Sequence, residues 1–312
     1  MNRTKLNAIF EEFTLETLKN TNIEIIARHL VNGFISGYHV SPYYGFSSTF
    51  KENREYTYGD PLKYINWKKY AHLNRLLVKR FEQESNMRTL FLLDISGSMD
   101  FPMIERYPFS KKIFSCICIA AMAQFLIRQN DSYGIMTFSD RIEDYLRMGS
   151  GSLHHRQFIN LLNRVVNQQL INKKTSISKV LHDVFISIPS SSLVVIFSDL
   201  IEDYNSLESL EKSILHANHK KHYLVVFHVM DTKREVEMEG IPVRARFIDM
   251  EIESSRELSI INIKKEYIAT IKSLINKIKE LWQKTGMEYY TVDINYPPYH
   301  VLNTFYLARG KK

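Results

Sequence analysis

The chain has 312 residues, is 45% hydrophobic and carries a formal net charge of +7. That length suits one large domain or two modest ones with a real core, and the mild positive charge is compatible with acidic partners or an anionic surface without demanding either. No run approaches the ~18 consecutive apolar residues of a membrane span, and the start, MNRTKLNAIFEEF, has neither a long apolar region nor the small-residue cleavage site of a secretory signal.

Residues from about Leu6 to Phe34 read as helical, with Leu15, Leu18, Ile23, Ile26 and Leu30 apolar and a break at Asn20 to Asn22. A stretch rich in Gly, Tyr and Phe follows, with turn signals at Gly37, Pro42, Gly45 and Gly59-Asp60-Pro61. Short strands and loops are expected there, with a short helix around Ile65 to Tyr70 and a strand over Leu76 to Phe81. Leu90 to Leu93 is wholly apolar and predicts a buried parallel strand ending at Asp94.

Phe109 to Gln129 predicts a helix that is apolar on most faces and buried beside the sheet. Cys116 and Cys118 lie two apart in it, so they point to different faces, cannot pair, and read as buried thiols of a reducing cytoplasm. Tyr133 to Phe138 is the next strand, Arg141 to Arg147 a short antiparallel one, and Gly149 to Ser152 a flexible break. Helices follow over His154 to Val166 and Ser176 to Ile188, then a strand over Leu193 to Phe197, a helix over Leu207 to Ala217 and a strand over Tyr223 to Val229. Beyond Asp231, Val236 to Gly240 reads as loop and Val243 to Ile252 as strand. Ile260 to Trp282 repeats apolar residues every three or four positions, the pattern of an amphipathic helix with a lysine-rich outer face. Gly286 stops it, Glu288 to Ile294 is the last sheet strand, and Pro297-Pro298 precedes a short helix or tail.

Strand and helix alternate, so the fold class is α/β, with a doubly wound, mostly parallel sheet and right-handed crossovers. An N-terminal α+β extension over residues 1–87 precedes this unit, which spans 88–312.

The chemistry concentrates in LFLLDISGSM, where Asp94, Ser96 and Ser98 present oxygen at alternate positions of a loop after a strand. Open α/β sheets bind ligands at such carboxyl ends, and an oxygen set of this kind suits a hard cation, magnesium above all. The motif D-x-S-x-S resembles the metal-ion-dependent adhesion site of von Willebrand factor A domains, themselves Rossmann-like. The resemblance implies two serines binding the metal directly, an aspartate acting largely through water, and a threonine and second aspartate from later loops. Those positions are Thr175, in KKTSISKVL, and Asp199, in LVVIFSDL. The chain departs from that family at Lys173 and Lys174, where small residues are common, and at Leu200, where a glycine is common.

A second resemblance covers about residues 25–230. Arg54, Tyr56, Gly59, Asp60, Lys63, Ile65, Trp67, Leu77, Val78 and Lys79 are similar to the signature of the bacterial family called domain of unknown function 58, which places it directly before a von Willebrand A-like domain. The resemblance implies association with a MoxR-type AAA+ ATPase and a role in assembly or maturation of other proteins. The expected function is a non-catalytic module that binds an acidic side chain of a partner through Mg2+ or Mn2+, in the cytoplasm, with peripheral association to the inner membrane compatible.

Two other classes stand beside it. Lys63, Lys68, Lys69, Arg75, Lys79 and Arg80 interleave with Tyr64, Trp67, Tyr70 and His72, the footprint of nucleic-acid binding. A magnesium-dependent phosphoryl hydrolase would use Asp94 as nucleophile, but Asp140 and Asp203 are not singled out as a base. The group His216, His219, His222 and His228 is a poor zinc site because Lys220 and Lys221 sit inside it.

Overall fold

The computed structural model describes residues 22–38, 50–58, 65–73, 75–81, 88–101, 109–170, 173–200, 207–242, 244–248 and 255–309. In chain order they form α1 (Ile23–Tyr38), β1 (Phe50–Glu55), α2 (Trp67–Leu73), β2 (Leu77–Phe81), β3 (Thr89–Asp94), α3 (Lys111–Gln129), β4 (Tyr133–Phe138) and β5 (Ile142–Gly149). Then come α4 (Ser152–Asn167), α5 (Ile177–Ser187), β6 (Leu193–Ser198), α6 (Leu207–His219), β7 (Tyr223–Met230), β8 (Arg244–Ile248), β9 (Ser255–Ser259), α7 (Ile260–Lys284), β10 (Glu288–Asp293) and α8 (Tyr299–Arg309).

Six strands make one sheet in the order β10-β7-β6-β3-β4-β5. All neighbours run parallel except the edge pair β4-β5. The reason lies in the side chains. β3, β4 and β6 are buried at every residue, so each is apolar on both faces and belongs in the middle. β5 alternates in burial, as a strand with one wet face does.

Helices cover both faces. Phe91, Leu93, Ile135, Phe197 and Phe227 point into a core shared with α1, α3, α4 and α8. Leu90, Leu92, Met136, Ile196 and Val226 point the other way, onto α5, α6 and α7. From β3 the chain builds outward through β4 and β5, then returns to the other side of β3 with β6, β7 and β10. The carboxyl ends of β3 and β6 therefore flank the switch point, where two connections leave in opposite directions and open a crevice.

The buried helix beside the sheet is α3. Ser110 caps it by accepting from Ile113 N at 3.3 Å, and Asn130 closes it in the left-handed conformation with φ 58°. It is the one described helix long and apolar enough to cross a bilayer, and here that surface is spent on the core. Cys116 and Cys118 are fully buried in it, and burial pushes the Cys116 thiol up to about 12.

Several elements depart from the sequence reading. α1 runs past Phe34 to Tyr38, and Ile26, Ala27, Leu30 and Val31 pack into the main core, so this helix of the expected extension belongs physically to the larger unit. Its start agrees, because Asn22 Oδ1 accepts from Glu24 N at 3.0 Å. The short helix expected over Ile65 to Tyr70 begins instead at Trp67, because Ile65 is drawn into a bridge with Val78. β5 extends through Gly149, which was expected in a flexible break. The segment expected to be one strand over Val243 to Ile252 contributes β8, which pairs antiparallel with β9 in a sheet of its own. The expected loop from Val236 follows a π-helical turn, Thr232–Val236, capped by Asp231.

Candidate metal centre

β3 delivers Asp94 to the switch point, where it is completely buried. Its two oxygens are divided between three segments. Oδ1 accepts from Ser96 N at 2.8 Å, which folds the next residues into a tight turn. Oδ2 accepts from Ser198 Oγ at 2.6 Å and from Thr175 Oγ1 at 3.2 Å. Ser96 Oγ lies 3.1 Å from Ser98 Oγ. The turn continues into a 3-10 segment, Gly97–Asp100, in which Ser98 alone is partly exposed. The backbone fixes the same convergence: Gly97 N donates to Lys173 O at 2.8 Å, Ser176 N to Ser139 O at 3.2 Å and Ile95 N to Phe138 O at 2.8 Å.

Asp94, from the loop that also holds Ser96 and Ser98, thus meets Thr175 from a distant segment. Ser198 joins them without having been anticipated, and the available signal was only its place at the end of an apolar strand, one residue before Asp199. Asp199 lies close enough for its charge to act on Asp94, but one of its oxygens is engaged by a lysine. Its Oδ2 accepts from Lys111 Nζ at 2.7 Å, and the same ammonium reaches Glu235 Oε1 at 2.5 Å. Lys111 is fully buried at the first turn of α3. Burial works against its charge, yet Asp199 and Glu235 hold the ammonium above the usual lysine value.

The two departures from the adhesion-site pattern have local accounts. Lys173 directs its charge to Glu143, with Nζ 3.0 Å from Oε2, and Lys174 is exposed. Leu200 holds φ at 52°, the left-handed region a glycine would enter freely. The strain is offset because its side chain is fully buried against α5 and α6 residues and its N–H donates to Ser198 Oγ at 3.1 Å.

Electrostatics mark Asp94. Burial first, and the charge of Asp199 second, push its carboxyl up to about 7, against the bonds from Ser198 and Ser96. Among the described residues no lysine, arginine or histidine pairs with it. A buried carboxylate surrounded by hydroxyls and lacking a cation fits a hard divalent ion, with oxygen from Asp94, Ser96, Ser98 and Thr175. Among the described residues no three His, Cys, Asp or Glu side chains gather to hold a metal ion, so an ion here would rest on one carboxylate and hydroxyls. Two of the four histidines are packed into the fold. His222 stacks on Phe185 at 5.2 Å, and His228 Nδ1 lies 2.6 Å from Tyr289 Oη.

Of the other signature residues, Gly59, Asp60 and Lys63 lie outside the described residues, as do Tyr64 and Asp203. Arg54 and Lys79 take part in the β1-β2 hairpin, paired with Val78 and Asn53. Trp67 is 60% exposed and meets Tyr70 edge-on at 6.1 Å.

The family model described as "Protein of unknown function DUF58" matches residues 52–273, and the chain belongs to that family. No curated protein matches. Among solved structures, the conserved hypothetical protein BatB from Bacteroides thetaiotaomicron is similar at 14% identity, with 72% of this chain and 100% of that one covered and a TM-score of 0.41. An aerotolerance-related membrane protein from Bacteroides fragilis is similar at 13% identity, 72% and 98% coverage and a TM-score of 0.40. The PilB minor pilin of Streptococcus sanguinis is similar at 15% identity, 76% and 65% coverage and a TM-score of 0.36. These likenesses are loose, and the functional reading rests on the chain's own residues.

Proposed function

We propose that this DUF58 member is a non-catalytic interaction module in which Asp94, Ser96, Ser98 and Thr175 hold a magnesium or manganese ion that receives a carboxylate of a protein partner. The observation that supports the reading is the meeting of three loops around the buried carboxylate of Asp94, which no described lysine, arginine or histidine pairs, with Thr175 Oγ1 and Ser198 Oγ at 3.2 and 2.6 Å from it. One protein carboxylate on a divalent ion leaves positive charge, which favours an acidic ligand. Ser98, partly exposed, is the side from which a partner would reach the ion. The mostly parallel sheet with the site at its switch point supports assigning the fold to the von Willebrand A type, and the family resemblance points to a MoxR-type AAA+ ATPase in the cytoplasm as partner.

The test is Mn2+ binding followed by capture. Wild-type protein is expected to bind one Mn2+ and Ser96→Ala none. A MoxR-type ATPase added with Mg2+ is expected to be retained, and to be lost on chelation and equally in Ser96→Ala. Binding that ignores both perturbations refutes the proposal.

A second reading draws on α2. Trp67, Tyr70 and Leu73 are exposed there beside exposed Lys68, Lys69 and Arg75, a face suited to nucleic acid. It predicts RNA or DNA binding that weakens steeply with salt and is lost in Trp67→Ala.

A further inference from the structure

Two consecutive lysines open α3, and both are buried, Lys111 fully and Lys112 at 2% exposure. Cations at a helix N-terminus oppose the helix dipole, and buried ammonium groups persist only when paired. Both are paired with carboxylates of the switch-point loops. Lys112 Nζ lies 2.6 Å from Asp100 Oδ1 in the turn that carries Ser96 and Ser98, and Asp100 Oδ2 accepts from Leu170 N at 2.7 Å. Lys111 Nζ joins Asp199 Oδ2 at 2.7 Å to Glu235 Oε1 at 2.5 Å. Glu235 is itself held in the π-helical turn, since its Oε2 accepts from Asp231 N at 2.7 Å and its carbonyl accepts from Tyr267 Oη at 3.0 Å. The Lys111 ammonium therefore has a rigid acceptor on either side.

We infer that Lys111 is a resident cation that takes Asp199 out of the metal's coordination, so that the ion is bound by Asp94, Ser96, Ser98 and Thr175 with a single protein carboxylate. This rests on the metal reading given above and names what sets its strength. A site charged −1 binds a divalent ion more weakly than one charged −2, and it leaves more positive charge for an acidic ligand. Lys111 thus acts as a specificity-determining residue, favouring ligand-assisted over ligand-free metal binding.

The experiment is Mn2+ titration of four full-length variants, read by the electron paramagnetic resonance of free Mn2+, with thermal unfolding in chelator alongside. Asp199→Asn is expected to keep Mn2+ affinity within about threefold of wild type, because that carboxylate is already committed to Lys111. Lys111→Met is expected to bind Mn2+ at least tenfold tighter, because Asp199 is released to the ion. If Lys111→Met does not fold in chelator, the double variant Lys111→Met/Glu235→Gln keeps the net charge of the cluster and is expected to show the same tightening. Ser96→Ala removes binding in every background. The inference is overturned if Asp199→Asn loses Mn2+ more than tenfold, or if neither lysine variant that folds binds more tightly. The metal reading itself is overturned, separately, if wild type and the lysine variants all bind no Mn2+, or if Ser96→Ala changes nothing.

Discussion

Asp94→Asn separates a structural carboxylate from one kept for a cation. The folded protein raises the Asp94 carboxyl from 3.8 to about 7 because burial and the Asp199 charge both oppose ionisation. A carboxyl whose folded value is raised contributes stability that is complete below the unfolded value and is lost as pH climbs through the folded one. Holding the proton up to pH 7 instead of 3.8 corresponds to about 4 kcal/mol at ~1.4 kcal/mol per tenfold change. In chelator, wild type is therefore expected to lose about 4 kcal/mol between pH 4 and pH 8 that Asp94→Asn does not lose. The asparagine keeps an acceptor for Ser96 N, and the hydroxyls of Ser198 and Thr175 rotate to receive its amide, so the bond pattern survives. At pH 8 the variant is the more stable protein without metal. Saturating Mg2+ reverses part of that gap, because a ligand at ~100 times its Kd adds about 2.7 kcal/mol to wild type and nothing to the variant. Urea unfolding at pH 4 and pH 8, each with chelator and with Mg2+, measures all four corners. If Asp94→Asn is the less stable protein in chelator at pH 8, or if Mg2+ leaves wild type unmoved, the carboxylate is a fold element and the reasoning fails.

Other perturbations test the frame that holds the site. Phe158 is fully buried, edge-on to Phe91 at 5.9 Å and to Tyr133 at 5.1 Å, so Phe158→Ala is expected to cost about 3–5 kcal/mol in urea unfolding. A loss under ~1 kcal/mol would mean that α4 closes over the cavity. A Cβ on Gly134 would sit 2.6 Å from Leu146 O and 2.9 Å from Met148 N. Gly134→Ala is thus expected to push β5 away, at about 1–3 kcal/mol, with faster hydrogen exchange in β5 and little change in β6. Burial pushes His228 down to about 4 against the pull of Asp199, so it stays neutral in the fold. Its stability contribution is complete above the unfolded value of ~6.5 and falls as pH drops from there toward 4. In His228→Asn that acid-side loss, about 3 kcal/mol, is expected to vanish from the pH dependence of the urea midpoint.

What could be read from the chain alone follows from how local its cause is. Leu90 to Leu93 and Leu193 to Phe197 are apolar on both faces, and only a central strand needs that, so their place was legible without coordinates. The β8-β9 hairpin was not, because Val243 to Ile252 alternates enough to resemble one strand and its partner segment, SRELS, carries no strand pattern of its own. The start of α2 was missed for a related reason: Ile65 obeys its bridge to Val78, a partner that local periodicity does not contain.

Within the site the same division decides which ligands were legible. Asp94, Ser96 and Ser98 share one loop, so their spacing is itself a signal, and Thr175 and Asp199 were placed by resemblance in segments that do converge. What a motif cannot carry is the competition for each carboxylate. Lys111 carries no signal in the sequence, and only the packing of α3 under the β6 and β7 ends aims its ammonium at Asp199 and Glu235. Two carboxylates that read as equivalent ligands thus meet opposite surroundings. Asp94 is given hydroxyls, which satisfy its oxygens but leave its charge, while Asp199 is given a charge of its own. Hydroxyls stabilise a carboxylate by far less than a buried ammonium does, so the demand for an external cation falls on the first and is removed from the second.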